Sequence, residues 1–299
     1  MYIENKNNKK FLTKKVFWKK VSVSFDWEIN DKIVEKLTQK EIELIKNSKE
    51  YQDFKQNIYN SNTLENIIFN SKFIYNKFNI TTKKDKINYF SKINFIQKFV
   101  YESNRTEGSK IKQDDIFRIF ENKKINYQNK NEILEVKNSK KAFLFMVEKF
   151  TFNIENIKKV YHILTKNLVM NSWDKYPRWF KKIENTVNND ITSKPENVEK
   201  DLENLILWYK QNKKSINTLE LAYLFHLKFE KIHPFIDWNW RIWRFLINKI
   251  LIDNNYFPII LFSDNKKSFF NSIKNPWVNN KKYYKTMLEQ HIKTIEYFK

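Results

Sequence analysis

The chain has 299 residues, 41% of them hydrophobic and 17% aromatic, which is enough to bury a sizeable core as one large domain or as one domain with a small appendage. No run approaches the ~18 apolar residues that span a bilayer, and the opening MYIENKNNKKF lacks the apolar stretch of a secretory signal; a membrane protein is thus excluded and the cytoplasm is the expected compartment. The formal charge of +22 comes almost wholly from Lys spread along the chain, which reads as a solvated basic surface and disfavours a nucleic-acid partner.

Residues 1–35 alternate Lys with Val, Phe and Ser around KVFWKKVSVSF, a pattern that predicts two or three short strands. Everything after them is periodic like helix, near 38–58, 62–77, 86–107, 112–121, 131–148, 153–169, 198–213, 217–232, 241–254, 265–274 and 280–297. Segment 171–196 interrupts this run with Pro177, Pro195 and ENTVNNDITS, and is expected to project as a loop or hairpin. The fold class expected is therefore mainly α, with a β-hairpin and a small N-terminal β element. Having no cysteine, the chain can hold a metal only through oxygen or imidazole, and oxygen favours magnesium.

Arginine is scarce, and four of the five lie in segments that carry chemistry: Arg105, Arg178, Arg241 and Arg244. The densest of these segments is HPFIDWNWRIWR, residues 233–244. Asn217, with Glu220 three residues on, starts a helix whose stripe is Leu221, Leu224, Phe225, Phe229 and Ile232, and Pro234 stops it. A second helix follows with Ile242, Phe245, Leu246 and Ile250 buried. Helix, tight loop, helix brings the N–H groups of the second helix to the loop, an arrangement suited to phosphate. Arg241 and Arg244 reach the same place, Asp237 offers a hard oxygen ligand, and His233 offers an imidazole base. His226, two turns before His233, reads as a hydrogen-bonded core residue, with a two-His metal site as the alternative.

The segment resembles the signature of the Fic family, His-Pro-Phe, any residue, Asp or Glu, Gly-Asn-Gly-Arg, two residues, Arg, at His233, Pro234, Phe235, Asp237, Asn239, Arg241 and Arg244. The similarity extends through AYLFHLKFEKI and EVKNSKKAFLFM, over roughly 86–275. The resemblance implies a Fic-type helical bundle and a protein adenylyltransferase that moves AMP from ATP with magnesium onto a Tyr, Ser or Thr hydroxyl of a protein, the chain itself being one candidate target. In that reading His233 is the base and Asp237 the magnesium ligand. Asn239, Arg241 and the backbone at Trp238 and Trp240 hold the α- and β-phosphates, Arg244 the far end of the triphosphate, and Phe235 anchors the loop. The hairpin with Tyr176 and Arg178 is similar to the family's target-aligning flap. Upstream, YESNRTEGSK resembles the inhibitory helix of some family members, Ser103 and Glu107 sharing a face and Glu107 pairing with Arg244. In some members that Glu also takes part in removing AMP. The implied division is a strand element at 1–35, a helical region at 36–85, the Fic domain at 86–275 with its inhibitory helix at 86–108, and a last helix at 276–299. A homodimer remains open.

The sequence departs from the family where Trp238 and Trp240 stand in place of two loop glycines and Trp243 in place of a frequent third. An indole there strains the turn and fills the anion site. The whole chain has 1 Gly and 9 Trp, where average usage would give roughly twenty Gly. Trp27, Trp238, Trp240 and Trp173 follow Asp, Asp, Asn and Ser, so glycine at each would restore a turn dipeptide. Some bacteria read UGA as glycine and others as tryptophan. The expectation is that Trp238, Trp240 and Trp243, with Trp18, Trp27, Trp173 and Trp179, are glycines in the cell, while Trp208 is a core tryptophan. Read literally, the chain is a disabled Fic-like binding protein; a basic nucleic-acid-binding protein is the remaining class.

Overall fold

The computed structural model describes residues 1–7, 9–26, 28–170, 175–187, 190–274 and 280–299. Strands β1 (Tyr2–Lys6), β2 (Lys9–Val16) and β3 (Lys19–Phe25) form an antiparallel meander in that order. Leu12 lies opposite Val23 and Lys14 opposite Val21. Alternation therefore gathers Leu12, Val16, Val21, Val23 and Phe25 on one face, against Val34 and Leu37 of helix α1 (Asp31–Lys46). The β2–β3 turn lies at Phe17 and Trp18, but its left-handed residue is Phe17 (φ 52°), while Trp18 stands 81% exposed.

Two expected helices are broken in the structure. The periodicity over 38–58 spans α1 and α2 (Lys49–Gln56), separated where Ser48 accepts a hydrogen bond from the Tyr51 N–H and starts a new helix. The stretch 86–107 is α4 (Lys83–Lys92) followed by α5 (Phe95–Thr106), with Asn94 between them at φ 56°. Asparagine tolerates this left-handed conformation, and the chain uses it repeatedly. Six of its nine non-glycine residues with positive φ, among those described, are Asn. Against that habit, His233 (φ 47°) and Trp238 (φ 73°) stand out.

The rest is helical: α3 (Ser61–Lys77), α6 (Gln113–Phe120), α7 (Lys130–Glu148), α8 (Ile154–Leu164), α9 (Val198–Asn212), α10 (Thr218–Ile232), α11 (Asn239–Asp253), α12 (Lys266–Ser272) and α13 (Asn280–Tyr297). Their apolar faces join in one core. No helix among the described residues is long and apolar enough to cross a membrane. Helix α10 starts as expected at Asn217, whose side chain accepts from the Leu219 N–H, but Glu220 does not complete a capping box. It faces the Tyr284 hydroxyl and Asn57 instead.

Helix α11 lies at the centre, buried at nearly every position from Ile242 to Ile252. Its C-terminal end is tied by two lysines: Lys86 Nζ donates to the Ile252 carbonyl at 2.7 Å and Lys72 Nζ to the Asn254 carbonyl at 3.0 Å. Cations at that end complement the helix dipole and leave its positive end directed at the loop from His233 to Trp238.

Candidate active site

The loop between α10 and α11 is closed from within. Asn239 accepts from the Phe235 N–H at 3.0 Å and donates to the Phe235 carbonyl at 2.7 Å. Its side chain thus ties the loop together, with the second Nδ2 hydrogen and the main-chain N–H remaining as donors. Phe235 is fully buried, its ring stacked on Tyr161 at 4.1 Å. His233 ends α10 in the left-handed region, its N–H bonded to the Phe229 carbonyl at 2.9 Å. Its Nδ1 lies 3.1 Å from Oε2 of Glu230. Asp237 accepts from the Trp238 N–H through Oδ1 and from the Tyr176 hydroxyl, at 3.3 Å, through Oδ2.

Arg241 lies over Trp238 of the loop and Arg244 turns to helix α5, and each is held by a carboxylate. Arg244, 3% exposed, donates through Nη2 to Glu107 Oε1 at 2.8 Å and through Nη1 to the carbonyl and hydroxyl of Ser103, each at 3.1 Å. Burial lowers the guanidinium's pKa, and Glu107 opposes that effect. Helix α5 presents Ser103 and Glu107 because a Schellman turn stops it there: Gly108, at φ 96°, bonds back to Arg105 and Ser109 to Asn104. Arg241 Nη2 lies 3.3 Å from Oε2 of Glu135 on α7. Burial raises the Glu135 carboxyl above its ordinary range, with Arg241 pulling it back.

Residues 181–193 are latched to the end of α10 and the loop after it. The Lys181 N–H donates to the Pro234 carbonyl, Asn185 Nδ2 to the Phe235 carbonyl and the Ser193 N–H to the Lys231 carbonyl. Lys181 Nζ, buried and with its pKa pushed down to about 8 by burial, donates to the Ile232 carbonyl and to Asn185 and Thr192. The short strands β4 (Thr186–Val187) and β5 (Asp190–Ile191) pair beyond this latch. Tyr176 comes to the site; Arg178 contributes its carbonyl, which accepts from His162 Nε2 at 2.7 Å. Trp173 and Trp27 lie outside the described residues.

The three loop tryptophans meet different surroundings. Trp238 is 2% exposed, and the Arg241 guanidinium covers its ring at 3.9 Å. Trp243 is fully buried and stacks on His226 at 3.7 Å; Trp240 packs on Phe270 at 4.8 Å. The indole N–H groups of Trp238 and Trp243 are buried without a hydrogen-bond partner, as are Arg241 Nε, Arg244 Nε and Glu230 Oε1. Unpaired buried polar atoms are rare in folded proteins and costly. His226 is a core residue bonded to the Tyr283 hydroxyl at 2.7 Å, and burial pushes its pKa well down. It forms no two-His metal site: among the described residues no three His, Asp or Glu side chains gather as one would require. Magnesium at nucleotides is commonly held by one or two carboxylates with the substrate's phosphates, and Asp237 fits that arrangement.

Residues 151–251 match the family model described as Fic/DOC family. These residues are thus similar to Fic/DOC domains. It is 40% identical over 60 residues to a probable protein adenylyltransferase of Aquifex aeolicus, covering 20% of this chain and 19% of that protein. It is 30% identical over 80 residues to the protein adenylyltransferase fic-1 of Caenorhabditis elegans, covering 26% and 16%. These matches span under a fifth of each curated relative's length. A solved structure of Fic-1 from C. elegans superposes with a TM-score of 0.63 at 17% identity, covering 90% of this chain and 80% of that one. The fold is that of Fic proteins, mainly α with small strand elements.

Glu230, Glu135 and Lys181 are the site residues that sequence reading missed. Glu230 carried a readable signal, since three residues before a helix-ending His is one turn away. Glu135 and Lys181 gave none, because each reaches the loop from a segment distant in sequence.

Proposed function

We propose that this chain is a protein adenylyltransferase that transfers AMP from ATP to a Tyr, Ser or Thr hydroxyl of a protein. The observation that supports the reading is the loop carrying His233 and Asp237 running directly into one buried helix, Asn239–Asp253, with Arg241 and Arg244 on its first turns. A helix N-terminus with two guanidinium groups suits a polyphosphate. His233 takes the proton of the hydroxyl, whose oxygen bonds to the α-phosphorus as the bond to the β-phosphate oxygen breaks and pyrophosphate leaves. Asp237 would hold magnesium, which would neutralise charge across the α- and β-phosphates. Arg241 and the backbone at 238–240 orient those phosphates, and Arg244 the γ end. Catalysis of this kind rests on positioning and charge neutralisation.

The same reading makes α5 inhibitory. With Glu107 and Ser103 on Arg244, the γ-phosphate loses its ligand and the α-phosphate is badly placed for in-line attack. Glu107 is also the residue that would assist hydrolysis of AMP from a modified target. The flap residues Tyr176 and Arg178 would align that target.

The reading requires glycine at 238, 240 and 243 in the cell, and Trp238 is the strongest support for it. A bulky residue at φ 73° is a conformational outlier, and its ring lies under the guanidinium that should meet phosphate. The alternative, a binding protein that does no chemistry, draws support from the aromatic niche around Trp240 and Trp243, where His226, Phe269 and Phe270 pack on them. The test uses the triple variant Trp238→Gly/Trp240→Gly/Trp243→Gly, incubated in a lysate with ATP labelled at the α- or the γ-phosphate. Protein-bound label from the α position alone, lost in His233→Ala, is expected. Label from the γ position, or none from either, contradicts the reading.

A further inference from the structure

His233 has a partner of its own. Glu230 lies on the last turn of α10, 6% exposed, and its Oε2 meets His233 Nδ1 at 3.1 Å inside the protein, where His233 is 8% exposed. A carboxylate only accepts hydrogen bonds, so the neutral imidazole carries its proton on Nδ1 and leaves the Nε2 lone pair free. The second carboxylate oxygen, Oε1, is buried with no hydrogen-bond partner. Burial raises the Glu230 carboxyl above its ordinary range; His233 pulls it back, Arg244 on α11 does so less, and Glu107 on α5 acts the other way. A buried carboxylate with one unpaired oxygen is an expensive way to finish a helix, for which an apolar residue would serve as well.

We propose that Glu230 is the positioning residue of the active site, fixing His233 in the Nδ1–H tautomer and offsetting the positive charge the ring acquires when it takes the target's proton. The inference rests on the adenylyltransferase reading for its second half only. As the hydroxyl oxygen bonds to the α-phosphorus and the bond to the leaving pyrophosphate breaks, the proton passes to Nε2. The ring is then a cation 3.1 Å from a carboxylate. Without Glu230 the same cation forms in a buried site with no carboxylate at Nδ1.

Two substitutions separate the two tasks. Glu230→Gln keeps an acceptor oxygen and removes the charge; Glu230→Leu removes both. In the glycine-loop form, Glu230→Gln is expected to lower kcat about 10- to 100-fold with KM for ATP unchanged, and Glu230→Leu to lower it further, toward the large losses seen when a catalytic histidine adopts the wrong tautomer. The ring nitrogens of the full-length chain report the tautomer by nitrogen-15 NMR, His233 being the resonance lost in His233→Asn. The Nδ1–H form is expected in the unsubstituted chain and in Glu230→Gln, with a shift toward Nε2–H in Glu230→Leu. A purely structural Glu230 would leave the tautomer unchanged in all three and lower only the unfolding midpoint, which would overturn the proposal. So would Nε2–H in the unsubstituted chain, or an unaltered kcat in both variants. If no transfer is seen from any form, the adenylyltransferase reading falls, and the tautomer measurement still decides whether Glu230 orients the ring.

Discussion

Removing the Glu107 carboxylate should accelerate transfer by an amount set by its grip on Arg244. The pair is 2.8 Å apart, Arg244 almost wholly enclosed and the Glu107 side chain 25% exposed. Unit charges about 4 Å apart attract by about 4 kcal/mol at the effective dielectric near a protein surface, which is a ceiling. Fully exposed pairs give roughly 0.2–1 kcal/mol after screening. A largely enclosed pair, with Arg244 Nη1 also donating to the Ser103 carbonyl and hydroxyl, belongs between, and couplings of about 1–3 kcal/mol correspond to roughly 5- to 150-fold. Glu107→Gly, in the glycine-loop form, is therefore expected to raise label transfer from ATP by a factor in that range. Arg244→Ala should not mimic it, since it removes the γ-phosphate ligand as well as the lock. The double variant should be as slow as Arg244→Ala alone. The assay is incorporation of α-phosphate label into a lysate or the enzyme itself, time courses run side by side. Equal rates for the parent and Glu107→Gly would show that α5 only packs against the site, and the inhibitory role would have to be abandoned.

The active-site residues should separate binding from chemistry. His233→Ala is expected to abolish transfer while calorimetric binding of ATP with magnesium stays largely intact, and Asp237→Ala to weaken both; retained transfer in His233→Ala would remove it as the base. Acid stability should follow the buried histidines. His291 accepts from the Tyr223 hydroxyl at Nδ1 and donates from Nε2 to the Phe257 carbonyl, and burial pushes its pKa down to about 4. Between the ordinary histidine range and pH 4 the unfolded chain binds a proton that the native one refuses, so stability is present above about pH 6.5 and is lost as pH falls, by about 3 kcal/mol at pH 4. Urea midpoints should fall across that window, and more gently in His291→Gln; parallel pH dependence in the two proteins would contradict the assignment.

The parts legible in the sequence were those that depend on local order. The loop from His233 to Arg244 and the turn ending at Gly108 are short, and their residue types declare helix ends, charges and turns. The breaks at Asn47–Ser48 and Asn94 were hidden because apolar spacing continues across them, and only the capping Ser48 and the left-handed Asn94 mark the interruption. The capping box expected at Glu220 failed because tertiary partners, Tyr284 and Asn57, claimed the carboxylate. Glu135 and Lys181 reach the loop only through the packing of α7 and the flap, which no spacing rule reports. The sequence does announce the conflict at Trp238, through a glycine count too low for a chain with this many turns.

That conflict is also where the proposed function is most exposed. A left-handed residue at 238 that carries no side chain opens the anion site; one that carries an indole fills it. Mass analysis of the peptide spanning 233–244, isolated from the source organism, reads the residue directly. Glycine at 238, 240 and 243 is the expected result. Tryptophan at all three positions would contradict it, and leave a Fic fold whose phosphate cradle is closed.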